Sequence, residues 1–288
     1  MTKLVIGCGY LGHRVAKQWL DWGNSVAVVT RSDERAEAFR REGFCPVVGD
    51  VTNREFCESL PAAETVLYAV GYDRRAGVPR RDVVVAGLLN VLNGLDSATE
   101  RLIYVSSTGV MGSHEGAWVT ESSACNPQRE AGRCGLEAEG VVRGHQIGGR
   151  AVVLRLAGLY GPGRLPKLAD VRARRRVAAP ERAYLNLIHV DDATEVVLAA
   201  EKKASEGELY LVSDGNPTRH REFYSEMGRL LGVGPVEFCL PEAGTRGAAA
   251  ALGNKRVSNR KMLEDLKVEL AFPSYREGLA AVCAGIGV

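Results

Sequence analysis

The stretch from Lys3 to Arg31 reads KLVIGCGYLGHRVAKQWLDWGNSVAVVTR. Leu4, Val5 and Ile6 form a short apolar run that suits a strand buried on both faces of a parallel sheet. Gly7, Gly9 and Gly12 follow in G-x-G-x-x-G spacing, and apolar residues then recur at helical spacing at Leu11, Val15, Trp19 and Leu20. A second strand, Val26 to Thr30, closes a βαβ unit. In such a unit Gly7 permits the tight turn, Gly9 leaves bare backbone for a pyrophosphate, and Gly12 lets the helix pack close to the strand. The free N–H groups and positive dipole at the helix start favour an anion there. The triplet, set between a strand and a helix, predicts a dinucleotide site drawing on Gly7, Gly9, Tyr10, Leu11 and Gly12. A glycine turn used only for packing is the alternative.

The end of the second strand bears on which nucleotide is bound. An acidic residue there would accept hydrogen bonds from the adenosine ribose and repel a 2′-phosphate. Here the strand ends in Thr30, Arg31 and Ser32, a guanidinium flanked by hydroxyls, which predicts NADP over NAD. Ser32 also suits the N-cap of the next helix, with Asp33 and Glu34 in its first turn and Arg31 solvated.

Around this core the 288 residues suffice for a large buried interior. A charged share of 25%, an apolar share of 45% and a net charge of +2 give no reason to expect a nucleic-acid or membrane partner. The chain enters its first strand directly and no apolar run reaches membrane-spanning length, so neither a signal peptide nor a span is expected. The seven cysteines are scattered without a C-x-x-C pair, which suits a reducing, cytoplasmic setting and no metal site.

Further along, a helix over Glu34 to Glu42 precedes a short strand, Pro46 to Val48. Asp50 after that strand could accept a bond from an adenine amino group with Val51 against the ring, or cap a helix over Thr52 to Leu60, or do both. A fourth strand, Thr65 to Val70, runs into Ala69, Val70 and Gly71, small residues that admit a cofactor ribose. A polar, basic segment over Asp73 to Arg81 leads to a helix over Asp82 to Leu95. The fifth strand, Arg101 to Val105, ends in Ser106, Ser107, Thr108 and Gly109.

Several motifs in order carry a resemblance over nearly the whole chain: GCGYLG, the GDV after the third strand, YVSSTGVMG, LRLAGLYGPG at Leu154 to Gly163, NLIHVDD at Asn186 to Asp192, and the late VSNRKM and FPSYREGL. The chain resembles extended, atypical short-chain dehydrogenases/reductases of the NAD(P)-dependent epimerase/dehydratase superfamily. The resemblance implies a Rossmann-type doubly wound parallel sheet with a smaller C-terminal α/β substrate cap. It places the nucleotide domain at 1–160, with 186–213 returning to it, and the cap at 161–185 and 214–288. It implies a cofactor contact at Ser106, catalysis by Ser107, and substrate contacts at Ser107, Thr108, Tyr160, Asn186 and His189. His189 equally suits a structural role beside an apolar strand.

The family's proton-transfer pair, Tyr-x-x-x-Lys, is where the sequence departs. Gly132-Arg133-Cys134 and Glu139 set the alignment, which puts Ala131 at the tyrosine position and Gly135 at the lysine position. Neither side chain replaces the lost function, and Arg133 stays protonated in proteins. Tyr72, Tyr160 and Tyr184 are the candidate substitutes. The arginines at 172 and 174–176 suit either a phosphorylated ligand or a solvated face. Two functions follow from the resemblance. One is an NADP-dependent oxidoreductase or epimerase-like enzyme acting on a small or nucleotide-linked carbonyl or hydroxyl compound. The other is an inactive NADP(H) sensor that keeps the pocket without the acid. The resemblance also implies a homodimer through the helices after the fourth and fifth strands.

Overall fold

A computed structural model describes residues 1–242 and 253–286. The chain alternates strand and helix from its start. It runs β1 (Thr2–Ile6), α1 (Gly12–Asp21), β2 (Ser25–Thr30), α2 (Asp33–Arg41), β3 (Cys45–Val48), α3 (Arg54–Glu58) and β4 (Thr65–Tyr68). Then follow α4 (Gly87–Gly94), β5 (Arg101–Ser107) and α5 (Glu130–Gly144). Strands at Ala151–Leu156 and Leu209–Val212 complete a seven-stranded sheet ordered β3-β2-β1-β4-β5, then Ala151–Leu156, then Leu209–Val212. The ladders β1–β2, β1–β4, β2–β3 and β4–β5 are parallel, so β1 is an interior strand and the strand order reverses beside it. This is the doubly wound, Rossmann-type arrangement, with its crevice at the carboxyl ends of the strands where the order reverses. β3 is an edge strand and contains Pro46.

The apolar run that nominated β1 is fully buried at Leu4, Val5 and Ile6, and the apolar stripe of α1 is buried at Val15, Ala16 and Trp19. Some boundaries differ from the sequence reading. The third helix is only Arg54–Glu58, and its N-cap is Asn53, whose side chain accepts the Phe56 N–H; Asp50 binds Thr52 instead. The helix expected from Asp82 opens with a π-turn, Asp82–Ala86, before α4. Just after that turn, a Cβ on Gly87 would meet a Val51 methyl at 2.8 Å, so backbone runs against side chain there. Later helices run over Val190–Lys203 and Arg260–Leu266. By contrast α5 forms in full despite its glycines, because Cys134, Ala138 and Val142 on one face join the apolar core.

The chain divides into two compact units. The first comprises Met1–Ser107, Arg133–Arg155 and Thr194–Tyr210; the second comprises Thr108–Gly132, Leu156–Ala193 and Leu211–Val288. This assigns 108–132, 156–160, 186–193 and 211–213 to the second unit, unlike the sequence reading. The backbone explains it. Trp118–Val119 pairs with Arg256–Val257, and Leu187–His189 pairs with Gly158–Tyr160. The second unit has its own core, built on Tyr160, Leu187, Phe223, Met227, Tyr275 and Leu279.

Candidate nucleotide site

At the carboxyl ends of β1, β2 and β4, within the first unit, lies a cavity of about 320 Å³. Its floor is the glycine loop. Gly7 has a φ of +96°, and a Cβ there would meet the Ala69 backbone at 2.5 Å. A Cβ on Gly12 would meet the Gly7 carbonyl at 2.4 Å, so only glycine lets α1 start this close to β1. Gly9 differs: nothing lies nearer its missing Cβ than the Gly7 oxygen at 4.0 Å, and the space above it opens on the cavity. That open backbone is the cradle a pyrophosphate requires.

Thr30, Arg31, Ser32, Asp50, Val51, Ala69, Val70 and Gly71 line the same cavity, as the sequence suggested. Ser32 also caps α2, accepting the Arg35 N–H at 3.2 Å. Thr30 Oγ1 accepts the Ser32 N–H at 3.3 Å, which fixes the strand end. Arg31 is exposed, with Asp50 at 3.7 Å and Asp73 at 3.8 Å. Burial pushes the Asp50 carboxyl up, but the Thr52 amide and hydroxyl and the Arg31 guanidinium outweigh it and hold the group below its ordinary value.

Arg35, in the cavity wall, escaped the sequence reading. Arg35 Nη2 donates to the Cys8 carbonyl at 2.6 Å, tying α2 to the glycine loop. Cys8 fills the loop, 4% exposed, with its thiol pushed up to about 12 by burial. Tyr10 and Leu11 do not line the cavity: Leu11 is buried, and the Tyr10 ring lies under the Arg14 guanidinium at 4.5 Å.

Beyond β4 the expected site residues divide. Ser106 is buried and donates to Glu139 at 2.6 Å, and Glu139 in turn pairs with Arg155 at 2.7 Å, so the hydroxyl serves a buried ion pair. Ser107 is exposed at the end of β5, and Thr108 is buried. Ala131 and Gly135 lie one turn apart on α5, as a Tyr-x-x-x-Lys pair would. Asn186 spends its amide on the Lys255 carbonyl and the Val257 N–H. His189 is buried, its Nδ1 accepting the Asp191 N–H, and its ring packs on Phe272 at 3.9 Å.

The substitute tyrosines hold other places. Tyr160 is fully buried in the core of the second unit, where a Cβ on Gly278 would meet its hydroxyl at 1.8 Å. Burial, with Asp214 next, raises its pKa far beyond use as an acid near neutrality. Tyr72 donates to the Val78 carbonyl at 3.0 Å, and Tyr184 receives a bond from Arg219 at 3.3 Å. The arginines at 172 and 174–176 are exposed, and Arg175 and Arg176 face Asp170 and Glu237. Lys255, which drew no notice in the sequence, is buried, donates to the Gly112 and Gly253 carbonyls at 3.1 and 3.3 Å, and is lowered to about 8 by burial.

The family model for the NAD dependent epimerase/dehydratase family matches residues 4–213. The chain belongs to that family. Among its relatives is Protein YeeZ of Escherichia coli K12, 27% identical over 277 residues that cover 93% of this chain and 95% of the relative. A 4-hydroxy-2-methyl-3-oxo-4-farnesyl-3,4-dihydroquinoline-1-oxide ketoreductase of Stigmatella aurantiaca is 27% identical over 261 residues, 86% of this chain and 78% of the relative. The UDP-glucose 4-epimerase of Thermotoga maritima, solved with UDP-glucose, superposes with a TM-score of 0.80 at 21% identity, covering 99% of this chain and 98% of that one. The residues of the described cavity fit a nicotinamide nucleotide: an open glycine cradle, a capped helix start and two guanidinium groups. Among the described residues no helix is long and apolar enough to cross a membrane.

Proposed function

We propose that the protein is an NADP(H)-dependent oxidoreductase or epimerase-like enzyme acting on a small or nucleotide-linked carbonyl or hydroxyl compound. The observation that carries the choice of nucleotide is the wall after β2, where Arg31, Ser32 and Arg35 stand around the cavity and no carboxylate ends the strand. Gly7, Gly9 and Gly12 form the pyrophosphate cradle, Arg31 and Ser32 meet a 2′-phosphate, and Val51 backs the adenine ring. Arg31 pairs loosely with Asp50 at 3.7 Å and Asp73 at 3.8 Å, and all three side chains are exposed, so its guanidinium can turn to a phosphate without leaving a buried charge behind. When bound, the nicotinamide supplies or accepts the hydride. Ser107, exposed at the end of β5, orients the substrate oxygen by hydrogen bonding. The ketoreductase among the relatives supports turnover. The gap at Ala131 and Gly135 supports the second reading, an NADP(H) sensor without turnover.

The test is a pair of titrations with NADPH and NADH, followed by nicotinamide fluorescence. NADPH is expected to bind at least ~10-fold tighter, about 1.4 kcal/mol. Arg31→Ala should erase most of that preference and leave NADH binding nearly unchanged. Tighter NADH binding would overturn the choice of nucleotide, and no binding of either would overturn the enzyme and the sensor together. Reduction of simple ketones by the wild-type chain with NADPH separates those two.

A further inference from the structure

The amino ends of β1, β4 and β5 border a second cavity, of about 620 Å³, within the first unit. A row of side chains crosses its base. Lys3 of β1, Thr65 of β4 and Arg101 of β5 lie in register, so all three project from one face of the sheet. Lys3 donates to Thr65 Oγ1 at 3.0 Å and to Glu201 Oε1 at 2.5 Å, while Trp19 Nε1 donates to Glu201 Oε2 at 2.7 Å. Lys3 and Glu201 therefore cancel, with both carboxylate oxygens engaged.

Arg101, next in the row, has no such partner. Its Nη1 is enclosed without a hydrogen-bond acceptor, and among the described residues no carboxylate lies within 4 Å of the guanidinium. The residue as a whole is only half-buried, so the rest of the guanidinium is reachable from the cavity it lines. Arg150 lines the same cavity, just before the strand that neighbours β5. Its Nη1 donates to the Ser97 and Thr99 carbonyls at 3.2 and 2.5 Å, which fixes the guanidinium, and it too has no carboxylate within 4 Å among the described residues.

The carboxylates bordering the cavity do not offset these two cations. Glu201 is spent on Lys3. Glu64 and Glu100 precede Thr65 and Arg101 by one residue, so alternation turns them toward the opposite face, where Val66 and Leu102 pack with residues of α4 and α5. Glu206 is exposed, where water and salt screen it, as is Lys202, whose ammonium lies 3.7 Å over the Trp22 ring. Two half-buried guanidinium groups thus share one cavity without a counter-charge. That arrangement is costly until an anion arrives.

We propose that this cavity binds a small ligand through an oxyanion, a carboxylate or a phosphate, held by Arg101 and Arg150. Planar guanidinium groups match either oxyanion with paired, charge-assisted hydrogen bonds. Arg150 is already anchored, so little of its freedom remains to be lost on binding. The volume admits a metabolite-sized molecule. The glycine loop lies at the other ends of the same strands, so the two cavities can be filled together.

The test uses the full chain carrying Trp118→Phe, so that emission comes from Trp19 and Trp22, both at this cavity. Succinate, inorganic phosphate and neutral succinamide are titrated separately, at an ionic strength fixed with chloride. Succinate or phosphate should change the emission saturably, and succinamide should bind at least ~10-fold more weakly. Whichever oxyanion binds tighter tells a carboxylate ligand from a phosphate one. Arg101→Met should weaken oxyanion binding at least ~10-fold. It removes no protein hydrogen bond, so in chloride buffer it should melt with its parent. The proposal is overturned if this variant binds the oxyanions like its parent, if succinamide binds as well as succinate, or if no probe changes the emission. A clear fall in melting temperature would reveal a protein partner for Arg101 and overturn it too. No tryptophan lines the nucleotide cavity, so the result is independent of what binds there.

Discussion

The two units treat buried charge in opposite ways. In the first, the fully buried charged groups are matched by counter-charges: Lys3 with Glu201 at 2.5 Å, and Arg155 with Glu139 at 2.7 Å. In the second, backbone does the work. Asp192 accepts the Ala271 and Phe272 N–H groups, Asp214 accepts the Asn216 N–H, and Lys255 donates to two carbonyls. A matched pair resists change, because removing either member strands the other in low dielectric. A charge held by backbone dipoles stays exposed to its own desolvation. Asp214 is accordingly raised to about 7 by burial, with Asp192 and Glu277 adding to the shift, and Lys255 is lowered to about 8. The first unit is thus a fixed scaffold for its cavity, whereas the second responds to pH.

The largest effect should come from breaking a matched pair. Arg155→Ala leaves Glu139 buried with only the Ser106 hydroxyl, and about 3–5 kcal/mol should be lost, read as a fall in melting temperature of roughly 10 °C. A loss within the range of ordinary surface substitutions would erase the contrast between the units.

Next in size is Asp214→Asn. The folded protein holds a proton on Asp214 that the unfolded chain has shed, between 3.8 and about 7. Stability from this group is therefore complete below the lower value, falls as pH rises through the window, and is lost above about 7. Asparagine keeps an acceptor for the Asn216 N–H and removes the charge. The variant should gain about 2–4 kcal/mol at pH 8 and nothing at pH 4, as thermal melts at the two pH values would reveal. An equal gain at both would sink the assignment.

The smallest effect sharpens the contrast from outside. Arg175 pairs with Asp170 at 2.9 Å on the surface of the second unit. Arg175→Ala should cost under about 0.5 kcal/mol and vanish in high salt. A cost above about 1 kcal/mol would mean the pair belongs to a larger network.

Most of the first unit was legible because its signals are local. The apolar run of β1, the glycine spacing and the stripe of α1 each declare themselves within a few residues, and Thr30 to Ser32 reach the cavity by position alone. Arg35 was missed because its role depends on where the first turn of α2 points its guanidinium. The π-turn at Asp82–Ala86 was missed because Val83, Val84 and Val85 fit any helical phase equally well. In the second unit the informative contacts join distant residues by backbone, as with Trp118 and Arg256 or Tyr184 and Asn254. Two-residue strands leave no period to read. Lys255 drew no notice because nothing local marks it as buried, and Tyr160 looked like a pocket residue until Gly278 was found against its hydroxyl.

Pro46 in the edge strand β3 has a consequence for what can join this sheet. The Gly49 N–H reaches inward to the Thr30 carbonyl. Amide directions alternate along a strand, so the nitrogen of Pro46 faces the open side. An incoming strand finds no donor there and would leave one of its own carbonyls unmet. The sheet thereby ends its own growth, and a foreign β-strand from an unfolded neighbour has no ready template on that border. Replacing the proline would restore the missing donor without disturbing any bond to β2.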